Sequence, residues 1–141
     1  MALTTSAITW AKSTGGTSDD AGTAILIKPN NNILVGGKFR TSFDADPSSA
    51  NYNMSGSTGL NVFLLELNSS GNFVEAIVTA TGTNNIELYD MALDVSGNIY
   101  MTGYVNSTAD FDPKSGVTNL TSNGATDVFI QKLEIIPVIF P

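Results

Sequence analysis

Aspartates that recur two positions apart are the residues best suited to chemistry in this chain. Asp44 and Asp46 lie in the stretch RTSFDADPSS, and Asp110 and Asp112 lie in NSTADFDPKS. Carboxylate oxygens with this spacing are common calcium ligands. Next to a proline, the same side chains can instead accept hydrogen bonds from local backbone amides and form a bend. Both interpretations stay open, and the bend is favoured because neither stretch carries both the glycine and the glutamate of a full calcium loop.

Catalytic chemistry is narrowly limited by the composition. The chain has no cysteine and no histidine, which excludes thiol nucleophiles, imidazole-based zinc sites and histidine-dependent triads. Two carboxylate pairs, Asp19 with Asp20 and Asp90 with Asp94, have the residue types used in glycoside hydrolysis. Neighbouring residues point to opposite sides of an extended chain, and Asp94 lies beside a predicted turn. We therefore predict that the protein is not an enzyme.

The charge balance limits the partners. Thirteen acidic and six basic residues give a net charge of −7 and a pI near 4.1. Such a chain repels the phosphates of nucleic acids. Apart from a short apolar tail, the sequence has no apolar run near the length of about 18 residues that a membrane helix needs. We predict neither a nucleic-acid partner nor membrane insertion.

Short apolar runs bounded by Ser, Thr, Asn and Gly indicate an all-β protein. The long connections between the runs, 48–61 and 114–126, are expected to be loops. Eight strands are predicted, at 6–13, 22–28, 33–39, 62–67, 73–79, 89–95, 99–105 and 127–136.

An internal repeat organises these strands. Shifting the sequence against itself by 66 residues aligns 10–67 with 76–133 without a gap, and 13 of the 58 pairs are identical. We therefore predict two propeller-like, four-stranded antiparallel units, 1–69 and 70–141. A single β-sandwich of the same eight strands is the alternative.

Each unit contains the same hairpin. Gly97 supplies the positive φ that its tight turn needs, and Asn31 occupies the equivalent position in the first unit. The strands NVFLLEL (61–67) and DVFIQKL (127–133) begin with apolar residues on both faces. We expect both to be covered on both sides by packed sheets.

The two ends of the chain each lack a strand partner. The turn at Ser70–Gly71 joins strand 62–67 to strand 73–79, but the equivalent segment after the last strand reads EIIPVIFP and has no turn. The first strand, around SAITWAKS, correspondingly has no partner before it. We predict head-to-tail pairing of these two ends between copies, which gives a ring or a filament. The predicted interface contains Ile8, Trp10, Phe129, Ile135, Ile136, Ile139 and Phe140.

Motifs in both units resemble a known repeat. DVSGNIYMTGYVNSTADFDP, followed by NLTSNGATDVFIQKL, is similar to the bacterial seven-bladed β-propeller repeat, called the SBBP repeat. The first unit differs from that pattern at Asn61 and Glu66, which stand where the family has Asp and Lys. The resemblance implies a secreted or surface-attached bacterial protein built of propeller blades. It implies no catalytic residues, since the family shares none.

A module that binds glycans or calcium is the alternative function, with calcium as the only cofactor considered. Aromatic side chains suit the faces of sugar rings. The candidates for such a platform are Trp10, Tyr52, Tyr89, Tyr100 and Tyr104.

Glycans attached to the chain are a separate expectation. The Asn-x-Ser/Thr pattern marks acceptor sites in secreted proteins, although an asparagine-rich chain produces it by chance. The pattern occurs at Asn53, Asn68, Asn106 and Asn119.

Overall fold

The computed structural model describes residues 6–134, and this part of the chain is all-β, as predicted. No helix in the described residues is long and apolar enough to cross a membrane. Residues 6–134 contain nine strands: β1 (Ala21–Ile27), β2 (Ile33–Asp44), β3 (Asn53–Leu67), β4 (Phe73–Gly82), β5 (Ile86–Leu93), β6 (Ile99–Val105), β7 (Thr108–Asp110), β8 (Asn119–Thr121) and β9 (Asp127–Leu133).

The strands form two antiparallel sheets. The first sheet has the order β1-β2-β3-β4-β7-β8, and the second has the order β5-β6-β9. This grouping differs from two separate four-stranded units, because β4 follows residue 69 in sequence yet pairs with β3 along most of its length. Only its last two residues, Thr81 and Gly82, pair with β7. The hairpin at Ser70–Gly71 therefore places the first strand of one repeat at the edge of the previous repeat's sheet.

The predicted strand at 6–13 is wrong. Residues 6–13 are exposed and form no strand, and Gly15 alone makes an isolated antiparallel bridge, to Asp44. A strand needs a neighbour for its backbone N–H and C=O groups. No strand of residues 6–134 pairs with 6–13, so the local preference for extended backbone is not realised there.

Other predicted boundaries also need correction. Part of the expected loop 48–61 belongs to β3, because Asn53–Ser55 pairs with the far end of β2. The strand predicted at 89–95 is shifted to 86–93. The strand predicted at 127–136 ends at Leu133, and its last two residues lie outside the described range.

The sequence repeat is reproduced in the backbone. At an offset of 66 residues, β1 matches β5, the long β2 matches β6 with β7, and the long β3 matches β8 with β9. Asn31 and Gly97 both have positive φ, 65° and 85°, which confirms their predicted place in the hairpin turns. Thr41 and Ser107 are a second equivalent pair with positive φ, 55° and 70°. The two repeats therefore share their turns and their irregularities as well as their strands.

A close approach of backbone explains one pair of identical glycines. A Cβ on Gly37 would overlap the carbonyl oxygen of Ala21, and a Cβ on Gly103 would overlap that of Glu87. Both glycines face a β-bulge, where the register slips in β1 and in β5. A bulge turns one carbonyl toward the neighbouring strand, so only glycine fits opposite it.

The hydrophobic core lies on both faces of the first sheet. One cluster fills the space between the two sheets and includes Leu34, Val62 and Leu88. The other lies on the opposite face around Phe39 and Phe63. β3 is buried from Gly59 to Leu67, which confirms the prediction that this strand is covered on both sides.

The same prediction is wrong for β9. Phe129 and Gln131 are buried, but Val128 and Ile130 on the other face are exposed. The second sheet is covered only where it meets the first sheet, so one face of β9 has no cover within residues 6–134.

Candidate functional site

The aspartate pairs form bends of identical geometry in the two repeats. Asp44 Oδ1 accepts hydrogen bonds from the amides of Asp46 (3.1 Å) and Tyr52 (2.9 Å). Asp110 Oδ1 accepts the equivalent bonds from Asp112 (3.0 Å) and Thr118 (2.8 Å). These bonds close the base of the loop that follows each bend, and they lower the pKa of the Asp110 carboxyl below its ordinary value, with the Asp112 amide as the largest cause.

The second aspartate of each pair caps the next turn. Asp46 Oδ1 accepts from the Ser48 amide and Asp112 Oδ1 accepts from the Lys114 amide, both at 2.8 Å. One oxygen of each of the four carboxylates is therefore engaged by backbone amides. No group of three acidic side chains that could hold a metal ion occurs among residues 6–134. This geometry is that of the structural bend, and calcium binding stays a prediction.

The carboxylate pairs considered for hydrolysis also contact local backbone. Asp94 Oδ1 accepts from the amides of Ser96 and Asn98 in the β5–β6 turn, at 2.8 and 2.9 Å. Asp90 Oδ1 accepts from the neighbouring Met91 amide at 2.8 Å. Asp20 Oδ2 accepts from the Gly16 amide at 2.6 Å. Asp94 thus caps a turn, Asp90 bonds backbone beside the bulge in β5, and Asp20 bonds backbone in the segment before β1.

A buried ion pair ties the first three strands together. Lys28 Nζ and Asn32 Nδ2 each lie 2.6 Å from an oxygen of Glu66 in β3. Burial of a carboxylate is tolerated here because both of its oxygens have a donor. The cluster fixes the β1–β2 turn against β3.

The second repeat carries the equivalent residues with their charges reversed, and there Lys132 Nζ contacts Glu134 Oε1 at 3.0 Å rather than Asp94. Asp94, Asn98 and Lys132 stand at the positions equivalent to Lys28, Asn32 and Glu66. Asn98 Nδ2 donates to Asp94 Oδ2 at 2.8 Å, and this bond is the largest cause of a lowered Asp94 pKa, to which Lys132 adds a smaller Coulombic contribution.

The free edge of β9 is the main candidate for a binding surface. One edge of β9 pairs with β6 along the whole strand, from Asp127 to Leu133. No strand of residues 6–134 pairs with its other edge. The equivalent edge of β3 is occupied by β4, from Leu67 to Asn61. Unpaired N–H and C=O groups on an edge strand are a template for another strand.

The N-terminal segment ends where the strand equivalent to β4 would end. The Gly15–Asp44 bridge matches the Thr81–Asp110 pair at the same offset of 66 residues. Residues 6–13 are exposed, and Trp10 lies over Gly71, with its Nε1 donating to the Ser69 carbonyl at 3.2 Å. The end of the segment is therefore positioned as the repeat requires, while residues 6–13 have no strand beside them among the described residues.

The predicted interface residues fall into three groups. Ile8 and Trp10 lie on this exposed segment. Phe129 is buried against Phe111, with ring centroids 4.9 Å apart, so it offers a partner its backbone and not its side chain. The remaining four lie outside the described residues: Ile135, Ile136, Ile139 and Phe140.

The aromatic residues proposed as a sugar platform are divided between two places. Tyr52 packs on Phe73, with centroids 4.7 Å apart, on the first sheet. Tyr89 and Tyr104 lie together on the second sheet, with centroids 5.7 Å apart, and Tyr100 is exposed on the same sheet. Three of the five residues therefore share one surface.

The four asparagines predicted as glycan acceptors differ in exposure. Asn53 and Asn119 are exposed, and Asn106 is half-buried. Asn68 is half-buried, and its side chain accepts hydrogen bonds from Ser70 and Asn72 in the β3–β4 turn. These bonds fix the Asn68 side chain through its Oδ1, whereas a glycan would be attached at its Nδ2.

The exposed apolar faces of the two sheets were not anticipated from the sequence. The signal was present in the repeat, because Val128 and Ile130 align with Val62 and Leu64, which are buried in the first repeat.

Comparisons with protein-family models, with curated proteins and with solved structures found no match. The similarity to the SBBP repeat therefore remains a prediction.

Proposed function

We propose that this protein is a non-catalytic structural subunit that assembles head to tail with copies of itself. In this proposal, residues 7–15 of one copy pair with the free edge of β9 in the next copy. The resemblance to secreted propeller repeats supports a location outside the cell or at its surface.

The pairing of β3 with β4 carries this proposal. Within the chain, β4 occupies the edge of β3 that is free on β9, and residues 7–16 are the repeat equivalents of β4. Applying the offset to the β3–β4 register pairs Val128 with Thr14, Ile130 with Ala11, and Lys132 with Thr9. The chain thus contains a template for the contact and both of its halves, neither of which has this pairing among residues 6–134.

The contact is heterologous, because the edge and the segment are different parts of the chain. Repetition of such a contact gives a closed ring when the rotation between copies closes, and a filament when it does not. Main-chain hydrogen bonds along the pair would supply the affinity.

Proline substitution in the segment tests the proposal. We expect Ala11→Pro with Lys12→Pro to leave the fold of each copy intact, because 6–13 is exposed and unpaired in a single copy. Since adjacent residues point their N–H groups to opposite sides, one of the two prolines removes a donor that faces the partner strand. The assembly should dissociate to single chains of 14.8 kDa.

Light scattering after gel filtration, with electron microscopy of the same untagged sample, gives the readout. Ala125→Pro, in an exposed loop, is the control and should assemble as the unsubstituted protein does. A proline variant that still forms rings or filaments would contradict strand pairing, and an unsubstituted protein that stays monomeric at high concentration would contradict assembly itself.

A glycan-binding module is the second candidate, supported by the shared position of Tyr89, Tyr100 and Tyr104. Calorimetric titration with oligosaccharides, compared between the unsubstituted protein and Tyr89→Ala, tests it. Binding heat that is absent from both proteins would remove this candidate.

A further inference from the structure

We propose a second contact between copies, in which the outer face of the second sheet packs on the outer face of the first sheet of the next copy. The outer face of the second sheet is defined by Tyr100, Thr102, Val128 and Ile130. The outer face of the first sheet is defined by Ile25 and Ile27. This inference rests on the proposed head-to-tail assembly and adds a side-chain interface to its strand pairing.

The packing between the sheets inside one chain is the template. The inner face of the first sheet carries Val62 and Leu64, which are 0% and 3% exposed. β5 of the second sheet covers this face and contributes Leu88 and Met91, which are 0% and 8% exposed. One sheet therefore lies on the next through strand β5.

The equivalent residues at the two ends of the stack are exposed. Val128 and Ile130, equivalent to Val62 and Leu64, are 76% and 75% exposed. Ile25, equivalent to Met91, is 69% exposed. The equivalence includes direction, because Ile25 pairs with Val35 as Met91 pairs with Met101, and paired residues point to the same face of a sheet.

The two exposed faces present the same repeat positions that pack against each other inside the chain. Each outer face carries apolar residues that are the repeat equivalents of residues buried inside the chain. The outer face of the second sheet also carries Asp90, which pairs with Thr102 and stands in the place of Ala24. Exposed apolar surface of this kind marks an interaction site, and the repeat identifies its partner as the opposite outer face of a second copy.

The fit between large and small residues is reversed at the proposed contact. Inside the chain, Gly36 leaves the space that Leu88 fills, because a Cβ on Gly36 would overlap Leu88 and lie 3.2 Å from Met91 Sδ. At the proposed contact, Thr102 stands in the place of Gly36, and Gly22 stands in the place of Leu88. The larger side chain moves from one partner to the other, so the pair still holds one large and one small residue.

The internal ion pair has an uncharged counterpart. Lys38 bridges to Glu87 across the two sheets. Their equivalents at the proposed contact are Tyr104 and Ala21, again one large and one small residue. The contact therefore buries no new charge at this point, and its side chains differ enough from those inside the chain to distinguish the two interfaces.

Lysine substitution on the outer face tests the contact. Val128→Lys with Ile130→Lys should leave the melting temperature of the single copy nearly unchanged, since both side chains are exposed. The same change should raise the protein concentration needed for assembly by about tenfold or more, because two lysines would be buried at the interface. Val95→Lys with Val117→Lys is the matched control, since both valines are exposed and lie in turns away from the outer face.

Cross-linking separates this contact from strand pairing. The chain has no cysteine, so Ile25→Cys with Thr102→Cys places thiols only at the proposed face contact, and Thr9→Cys with Lys132→Cys places them only at the strand pair. A short bismaleimide should give a ladder of cross-linked multimers with the first variant.

Each result has one meaning for the proposal. A face ladder, together with loss of assembly in the lysine variant but not in its control, supports the face contact. A strand ladder without a face ladder overturns the face contact and leaves the proposed function standing. Absence of both ladders from a monomeric protein overturns both.

Discussion

The reversed charge cluster gives the sharpest test of whether the two repeats are structurally equivalent. In the first repeat Lys28 bridges to Glu66 at 2.6 Å, and their side chains are 17% and 6% exposed. We expect Lys28→Asp and Glu66→Lys, each alone, to be strongly destabilising, because each change puts two like charges at a buried site. The double variant has the residue types of Asp94 and Lys132, restores opposite charges at positions 28 and 66, and should regain most of the loss.

The magnitude follows from the burial of the pair. Removing one partner of a buried ion pair costs about 3–5 kcal/mol, since the remaining charge is left without compensation. With a slope of about 2 kcal/mol per M in urea, each single variant should lower the unfolding midpoint by roughly 1.5–2.5 M. The double variant should lie within about 1 kcal/mol of the unsubstituted protein, because Asn32 can donate to Asp at position 28 as Asn98 donates to Asp94.

Urea unfolding followed by circular dichroism measures these differences, and a double-mutant cycle gives the coupling energy. The series is best made in the Ala11→Pro, Lys12→Pro background, since assembly makes stability depend on concentration. Lys132→Met, which removes an exposed lysine, is the control and should shift the midpoint little. Additive losses in the double variant would refute the charge coupling between positions 28 and 66.

Two further predictions concern the bends and the bulges. Gly103→Ala should lower the free energy of unfolding in urea by about 2 kcal/mol or more, because the added Cβ would overlap the Glu87 carbonyl. Gly124→Ala is the control and should be nearly neutral, since a Cβ there has no neighbour within 4 Å. Equally small effects of both substitutions would contradict the bulge explanation. The lowered pKa of Asp110 in the folded state contributes stability that is present above the ordinary aspartate pKa and is lost as the pH falls through the folded-state value. Asp110→Asn should therefore flatten the acid side of the stability profile measured by melting temperature against pH, while Asn in place of the exposed Asp19 should leave it unchanged; identical profiles for both variants would remove Asp110 from the explanation.

The bends show how local chemistry can be predicted and how its role is then decided. The sequence placed Asp44, Asp46, Asp110 and Asp112 at equivalent positions but left metal binding and backbone capping open. The structure engages one oxygen of each with a backbone amide. That choice depends on amides as far away as Tyr52 and Thr118, whose position is set by the fold of the following loop.

The N-terminal segment shows the opposite limit. Its residues prefer extended backbone, and the sequence predicted a strand at 6–13. A strand forms only when another strand supplies its hydrogen-bond partners, and no strand of residues 6–134 pairs with this segment. Local preference therefore predicted the capacity for a strand, and tertiary structure decided that this capacity is not used within one chain.

By itself, the sequence determined the all-β class, the 66-residue repeat, and the turns at Asn31 and Gly97. Periodicity and turn chemistry act over a few residues, so they can be read without knowing the fold. Only the tertiary structure decided which faces are covered. Val62 and Val128 are identical residues at equivalent positions, yet one is buried and the other is exposed, because burial depends on whether another sheet lies above the strand.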